Sequence, residues 1–212
     1  MDKASEIEKE FSAWAEDYGK IKYSFWEGDL SEQHKEDQNK AIEMLKPEKG
    51  DKILDVGCGV GLASIKLASI IYPGTAYGID ITKEMVSESQ KNAKRLDVEN
   101  VRFEKASVLE LPFKNDKFDG SITTHAAHHF YKPVEMLSEI RRVLKQGSRF
   151  VLIDTCGSSK LIQEFEERLK KEEKAHHKFF KLSEAKKLLK DADFKEIEGY
   201  RKNHTMYLSA LA

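Results

Sequence analysis

The fold of this 212-residue chain is decided by residues 53–63, Ile-Leu-Asp-Val-Gly-Cys-Gly-Val-Gly-Leu-Ala. The apolar residues at the start of this stretch suit a central strand that is buried on both faces. Three glycines at alternate positions let the backbone turn sharply and leave no side chain between the backbone and a ligand. Helical spacing of apolar residues begins at Ala63. The stretch therefore predicts a strand, a tight turn and a helix whose N-terminus points at a ligand.

The spacing of the glycines separates this turn from that of dinucleotide-binding proteins. Their fingerprint is Gly-x-Gly-x-x-Gly, in which the third glycine lets the helix pack closely. Here the glycines fall at 57, 59 and 61, and Leu62 stands where the third glycine of that fingerprint should be. Asp55, one residue before the strand ends, favours a cationic ligand group over a phosphate. An NAD-dependent oxidoreductase is therefore the disfavoured alternative.

A second carboxylate follows at the next strand. Residues 75–80 predict a strand that ends in Asp80, 19 residues after Gly61. An acidic residue about 20 residues past a glycine turn, at the tip of the second strand, can accept hydrogen bonds from both ribose hydroxyls. Asp80 is alternatively the N-cap of the helix that opens just after it, and the two roles can coexist.

The rest of the chain alternates between strands and helices. Strands are predicted at residues 101–106, 118–124, 150–154 and 205–211, helices at 133–144, 158–174 and 183–191, and a turn at 145–149. This alternation indicates a parallel α/β sheet with right-handed crossovers and helices on both faces. Ligands of such sheets bind at the carboxyl ends of the strands. The predicted strand ends carry Asp55, Gly57, Gly59, Asp80, Ser107, Thr123 and His125.

Two motifs together resemble those of the class I S-adenosylmethionine (SAM)-dependent methyltransferases. One is Asp-x-Gly-x-Gly-x-Gly at residues 55–61, and the other is Phe118-Asp119 followed by His128-His129. The resemblance covers residues 50–156 and implies an α/β, Rossmann-like, doubly wound, mostly parallel seven-stranded sheet of order 3-2-1-4-5-7-6, with its last strand antiparallel. It also implies an enzyme that moves a methyl group to a small molecule, similar to the quinone-biosynthesis type.

The resemblance implies SAM as the cofactor and S-adenosylhomocysteine as the product. The glycine turn would present its backbone to the methionine portion, and Asp55 would hold the cationic amine directly or through a water. Asp80 would hold the ribose, and Ile81 and Met85 would flank the adenine. Ser107 stands where members carry an aspartate that bonds the adenine amino group, and its hydroxyl can still accept that bond. The predicted cofactor set is Asp55, Gly57, Cys58, Gly59, Gly61, Asp80, Ile81, Met85, Ala106, Ser107, Thr123 and His125.

Three histidines follow the fourth predicted strand. His125, His128 and His129 would share one helical face, which raises the possibility of a metal site. No acidic partner or fourth ligand lies nearby in sequence, so we expect no metal. A neutral imidazole can take a proton from an oxygen or carbon nucleophile, and His128 and His129 are therefore the predicted catalytic residues. The alternative is that one or both merely bond to backbone at the strand exit.

The N-terminal residues 1–46 predict a helical cap or lid on a SAM-binding domain of residues 47–212. Helices are expected at residues 2–17 and 31–45, with a stretch of aromatic residues and glycines between them. Tyr18, Tyr23 and Trp26 are the lid candidates, because aromatic faces suit a sulfonium cation and an apolar substrate. Ordinary packing is the alternative for these three residues. Residues 155–205 are expected to supply the substrate side.

Composition limits the class of partner. The 36 basic and 37 acidic residues give a net charge of −1, which argues against a nucleic-acid footprint. No stretch approaches the roughly 20 apolar residues of a membrane span, and the charged N-terminus is unlike a signal peptide. The two cysteines give no disulfide framework. We therefore expect a cytoplasmic monomer or homodimer acting on a small molecule. A protein that binds SAM without transferring its methyl group remains the other alternative.

Overall fold

The computed structural model describes residues 5, 7–9, 12 and 30–212. The described residues before position 30 are helical, in line with the helix predicted for residues 2–17. The further helices are α1 (Leu30–Leu45), α2 (Leu62–Ile71), α3 (Lys83–Arg95), α4 (Pro133–Val143), α5 (Lys160–Glu172) and α6 (Leu182–Asp191). The strands are β1 (Lys52–Val56), β2 (Thr75–Asp80), β3 (Val101–Lys105), β4 (Phe118–Thr124), β5 (Leu144–Thr155), β6 (Lys195–Lys202) and β7 (Thr205–Leu211).

Within the described residues, seven strands form one sheet in the order β3-β2-β1-β4-β5-β7-β6. The first five strands in chain order pair in parallel, and β7 is antiparallel to both β5 and β6. The predicted fold class and strand order are confirmed. Because β1 lies between β2 and β4, the glycine turn after β1 sits at the switch point where chain crossovers diverge.

Both faces of the sheet are covered, which explains the apolar composition of β1. Ile53 contributes to a core with α1, α2 and α3 on one face. Leu54 and Val56 contribute to a second core with α4 and α6 on the other face. Helix α1 buries Ala41 and Leu45 in the first of these cores. Part of the predicted cap therefore packs directly on the sheet, and the boundary at residue 46 stays a prediction about function.

The predicted turn at residues 145–149 was wrong, since these residues begin β5. The strand is irregular there, with a register shift opposite β4 and a positive φ of 77° at Gly147. The C-terminal Ala212 closes this segment, because its carbonyl accepts from Gly147 N at 2.9 Å and its N–H donates to the Ser148 carbonyl at 2.9 Å. Pairing with a residue more than 60 positions away extended the strand, and local turn chemistry does not show such a pairing.

The helices of the described ranges include none with the length and apolar character required to span a bilayer.

Candidate active site

The glycine turn after β1 has a backbone that only glycine adopts comfortably. Gly57, Gly59 and Gly61 have φ values of 71°, 52° and 81°. At Gly57 an added Cβ would lie 2.6 Å from the Cβ of Ala126. The N–H groups of Gly57 and Cys58 both donate to the Ile79 carbonyl at 2.9 Å, which ties the turn to β2. The turn therefore has a left-handed backbone at its glycines and lies in close contact with Ala126, as the spacing of the glycines predicts.

Gly61 has a different role from its two neighbours. An added Cβ there would lie 2.6 Å from the Phe103 ring and 2.7 Å from the Cβ of Ser89. These contacts place the start of α2 tightly against β3 and α3. Gly61 thus serves the close packing that the third glycine serves in the dinucleotide fingerprint.

Asp80 joins the glycine turn to the start of α3. Its Oδ2 accepts from Gly59 N at 3.0 Å, and its Oδ1 accepts from the N–H and the hydroxyl of Thr82, both at 3.0 Å. The N-cap of α3 is Thr82, whose hydroxyl accepts from Met85 N at 3.3 Å. The alternative in which Asp80 itself caps the helix was therefore wrong, and its carboxylate holds the turn at the tip of β2.

Asp55 is a buried carboxylate at the carboxyl end of β1, with 2% of its surface exposed. Ser64 Oγ donates to its Oδ2 at 2.6 Å. Burial raises its pKa to about 6; the hydrogen bond from Ser64 opposes this rise, and the charge of Asp80 adds to it. A cationic group bound beside Asp55 would offset the cost of ionising it. The site is therefore electrostatically suited to a positively charged ligand.

An open cleft runs along these strand ends. The predicted residues that line it are Asp55, Gly57, Cys58, Gly59, Asp80, Ile81, Met85, Ala106, Ser107, His125 and His129. Gly61, Thr123 and His128 are not among the lining residues. Thr123 is fully buried and donates to the Val56 carbonyl at 2.9 Å, and the adjacent Thr124 faces the cleft instead. A one-residue shift along a strand reverses the face on which a side chain lies.

Residues near the N-terminus also line the cleft, and the sequence analysis missed them. They are Ile7, His34 and Gln38. Val108, Phe130, Tyr131 and Met136 also line the cleft and make part of its lining apolar and aromatic. The lid candidates Tyr18, Tyr23 and Trp26 lie outside the described residues.

His125 depends on a buried carboxylate that the sequence analysis also missed. It adopts a positive φ of 52°, and its Nε2 lies 2.9 Å from Asp37 Oδ2. Asp37 is 1% exposed and accepts a second bond from the Tyr207 hydroxyl at 2.6 Å. Burial, followed by the hydrogen bond and charge of Asp37, raises the pKa of Tyr207. Asp37 lies one turn before Ala41 on the apolar face of α1, and that position was the available signal.

His128 forms a second carboxylate–histidine pair. Its Nδ1 lies 2.8 Å from Asp154 Oδ1, and its backbone N–H donates to Asp154 Oδ2 at 2.9 Å. Burial opposes ionisation of Asp154, but the charge and hydrogen bond of His128, with a further contribution from His125, hold its pKa below the usual range. Because ionised Asp154 can only accept, Nδ1 of His128 carries a proton, and in the neutral form of the ring the lone pair is on Nε2.

His129 is held by the backbone of a distant segment. Its Nδ1 lies 3.1 Å from the Ala175 carbonyl, and its Nε2 lies 3.8 Å from Glu173 Oε1. Its ring lies 3.9 Å from that of His128. The sequence showed no acidic neighbour for these histidines, whereas the structure places two there, Asp154 and Glu173.

The comparisons with known proteins agree with this geometry. A family described as "Methyltransferase domain" matches residues 47–204. The chain belongs to this methyltransferase domain family. The resemblance to class I methyltransferases that the sequence indicated is thereby confirmed, as is the fold that it implied.

Named relatives of this methyltransferase-domain protein include bacterial enzymes. The chain is 37% identical over 119 residues to the "Uncharacterized methyltransferase YcgJ" of Bacillus subtilis, covering 56% of this chain and 46% of that protein. It is 30% identical over 119 residues to a demethylmenaquinone methyltransferase of Listeria welshimeri, covering 56% and 50%. The crystal structure of the Bacillus YcgJ protein superposes with a TM-score of 0.72, covering 79% and 71% at 29% identity. The chain spans about half the length of these curated relatives.

Proposed function

We propose that this protein is a SAM-dependent methyltransferase that acts on a small-molecule acceptor. The observation that carries the proposal is the glycine turn with positive φ values, flanked by the carboxylates of Asp55 and Asp80 at neighbouring strand tips. Pyrophosphate would be repelled by this pair of negative charges. A ligand with a cationic amine and ribose hydroxyls complements both, and the family match supports methyl transfer over hydride transfer.

We propose that SAM is held by the residues that the sequence pattern indicated. Asp55, whose pKa is raised mainly by burial, would bind the amine. Asp80 would accept from the ribose hydroxyls while it holds the turn. Ile81 and Met85 would flank the adenine, and Ser107, which lines the same cleft, would accept a bond from its amino group. Of the other residues predicted for the cofactor, Cys58, Ala106 and His125 line the same cleft, whereas Gly61 and Thr123 do not.

When bound, SAM supplies an activated methyl group: a bond forms between the acceptor's nucleophilic atom and the methyl carbon, the sulfur–carbon bond breaks, and sulfur keeps the electron pair. The protein's part is to orient the acceptor in line and to exclude water. Orientation of this kind is worth about 7–11 kcal/mol of the barrier. Any proton that the acceptor carries on its nucleophilic atom must pass to a base.

We propose His128 and His129 as the residues that activate the acceptor. His129 lines the cleft, and the ring of His128, whose Nδ1 is bonded to Asp154, lies 3.9 Å from the ring of His129. In the simplest form of this role, Nε2 of His128 takes the acceptor's proton and Asp154 stabilises the imidazolium that results. Base catalysis of this kind contributes about 10²–10⁴-fold in rate.

We propose an apolar, planar acceptor. Phe130, Tyr131 and Met136 form an apolar part of the cleft lining, which suits such a molecule. The demethylmenaquinone methyltransferase of Listeria is a relative whose name indicates a quinone precursor, which agrees with this lining. Residues 1–46 are proposed as the cap, since Ile7, His34 and Gln38 line the cleft, and residues 155–205 as the substrate side. We further propose a cytoplasmic monomer or homodimer, consistent with two unpaired cysteines.

Calorimetry with the purified full chain tests the cofactor assignment. Titrations with SAM, S-adenosylhomocysteine and NAD should show binding of the first two and at least a 100-fold weaker response to NAD. Tighter binding of NAD than of SAM would overturn the proposal in favour of the oxidoreductase alternative.

A transfer assay then separates an enzyme from a protein that only binds SAM. The protein is incubated with SAM labelled in its methyl group and a metabolite extract, and labelled products are identified by mass spectrometry. The double variant Asp55→Ala, Asp80→Ala is the control that should produce no labelled product. SAM binding without any transferred label in the wild type would support the non-catalytic alternative.

A further inference from the structure

Each imidazole of His128 and His129 is held through Nδ1 by an acceptor from another part of the chain. The acceptor for His128 is the Asp154 carboxylate at 2.8 Å, and that for His129 is the Ala175 carbonyl at 3.1 Å. A carbonyl can only accept, so Nδ1 of His129 also carries the proton. In the neutral form of each ring the lone pair is therefore on Nε2. Metal-binding histidines are typically fixed in this way, with the other ring nitrogen donating to a carboxylate or backbone carbonyl.

Glu173 supplies a carboxylate next to this pair. Its Oε1 lies 3.8 Å from Nε2 of His129, which is longer than a hydrogen bond. One candidate ligand atom from each of His128, His129 and Glu173 lies within 4.8 Å of the other two. Bonds of about 2.0–2.2 Å to one ion place neighbouring ligand atoms roughly 3–4 Å apart. The observed spacing therefore requires only small side-chain movements to close around an ion.

A third histidine borders the cluster without a full set of partners. His176 is 5% exposed, and its ring lies 5.5 Å from that of His128. Its Nε2 lies 3.0 Å from Glu166 Oε1, and its Nδ1 has no hydrogen-bond partner among the described residues. A buried imidazole nitrogen without a partner calls for an explanation, and a nearby cation would be one.

We propose that His128, His129 and Glu173 bind one divalent transition-metal ion, for which Zn²⁺ is the probe. Two imidazoles and one carboxylate are the ligand set of open catalytic zinc sites and of non-haem iron sites. Asp154 and the Ala175 carbonyl orient the ligands. Three protein ligands leave coordination positions for another molecule, and His129 places the site at the wall of the cleft.

The site also implies a role for the ion, and this part rests on the proposed function. An ion beside the cleft would bind the acceptor's nucleophilic atom and lower its pKa, so that its proton leaves to solvent. His128 would then act as a ligand, and Asp154 would fix its orientation. Coordination would replace base catalysis as the way in which this pair activates the acceptor.

Zn²⁺ binding to the untagged full chain tests the site directly. After removal of metal with a chelator, calorimetry and elemental analysis should show one Zn²⁺ per chain. His129→Ala and Glu173→Gln should each weaken binding by about 100-fold or more. Asp154→Asn should weaken it by about 10–100-fold, the range found for residues that orient metal ligands. The matched controls are Glu172→Gln, on an exposed neighbour of Glu173, and His204→Ala, on an exposed histidine, and both should bind as the wild type does.

Substitution with Co²⁺ gives a second readout, since its visible absorption reports four- or five-coordinate geometry and should be lost in Glu173→Gln. This near-isosteric change keeps the test usable if His129→Ala does not fold.

Zn²⁺ binding below one-tenth of a site per chain, or equal binding by Glu173→Gln and Glu172→Gln, would overturn the proposal. SAM titrations on the same metal-free protein keep the two proposals apart. Retained SAM binding without Zn²⁺ binding refutes the metal site alone, whereas absent SAM binding refutes the proposed function.

Discussion

The candidate site has two halves, one proposed for the cofactor and one proposed for the acceptor, and they are built in different ways. The cofactor half, residues 55–80, is a continuous piece of chain whose shape comes from glycine backbone and short-range hydrogen bonds. The acceptor half combines His128 and His129 with Asp154 from β5 and with the Glu173–Ala175 segment. The cofactor half can therefore be recognised from the spacing of its residues along the chain, and the acceptor half cannot. Substitutions in the two halves should also alter different measured quantities.

The largest expected effect is on the acceptor half. Asp154→Asn should lower turnover by about 100-fold or more, because an amide offers one acceptor oxygen to two N–H donors of His128. The dissociation constant for SAM should stay within about twofold of the wild-type value. Turnover on the acceptor from the labelling screen and SAM calorimetry measure the two quantities.

The matched control for that change is Asp119→Asn. Asp119 lies near the start of β4, whereas Asp154 lies near the end of the parallel strand β5. The Asp119 carboxylate accepts a hydrogen bond from Lys52 N at 2.9 Å. This variant should leave turnover unchanged. Equal losses of turnover in the two variants would indicate a general effect on the sheet and would contradict the proposed role of Asp154 in orienting His128.

The next largest effect is on the cofactor half. Asp80→Ala should raise the dissociation constant for SAM by about 100-fold, because hydrogen bonds to a charged group contribute about 1.5–3 kcal/mol each. Turnover at saturating SAM should fall by only a few-fold. Asp80→Asn, which keeps the shape but not the charge, should give an intermediate affinity. A loss of turnover with unchanged SAM affinity would contradict the assignment of Asp80.

A smaller effect separates backbone strain from contact within the glycine turn. Gly57→Ala and Gly147→Ala both place a side chain at positive φ, but only the first also meets another residue, the Cβ of Ala126. Each should lower the free energy of unfolding by about 1 kcal/mol or more. Gly57→Ala should in addition weaken SAM binding by at least tenfold, whereas Gly147→Ala should not change it. Chemical denaturation and calorimetry measure these outcomes. Weaker SAM binding by Gly147→Ala would contradict the proposal that the glycine turn binds SAM.

The smallest effect is a pH dependence of SAM binding. Asp55 has a pKa of about 6 in the unliganded protein, and a bound cation stabilises its ionised form. The dissociation constant for SAM should therefore rise by up to about tenfold per pH unit as the pH falls below 6. Asp55→Asn should bind more weakly at pH 7 and lose this dependence. Calorimetry from pH 5 to 8 measures both. If SAM binding by Asp55→Asn still depended on pH in this range, a group other than Asp55 would be responsible.

Asp55 should have the opposite effect on the pH dependence of folding stability when SAM is absent. The folded-state pKa of Asp55 is raised above its unfolded value of 3.8. Its contribution to the free energy of unfolding is therefore fully present below about pH 4 and is lost as the pH rises through 6. The difference between wild type and Asp55→Asn isolates this contribution from that of carboxylates such as Asp154, whose pKa is lowered.

Much of the cofactor half could be predicted because its signals are local. The spacing of Asp55, the glycines and Asp80 lies within one strand–turn–helix–strand unit, and all of them except Gly61 reach the cleft. Thr123 was placed one residue away from Thr124, which lines the cleft, because strand boundaries do not specify the face that a side chain occupies. Asp37 was missed because a carboxylate on a helix resembles a solvated one until its buried partners are known.

By itself, the sequence determined the parallel α/β class, the position of the glycine turn and the two carboxylates at neighbouring strand tips. Hydrophobic period and glycine spacing are properties of adjacent residues, and the sheet then brings the strand ends together. Only the tertiary structure decided which acceptors orient His128 and His129 and which carboxylate faces them. Those contacts join residues 26 to 46 positions apart along the chain, and packing over that distance leaves no local pattern.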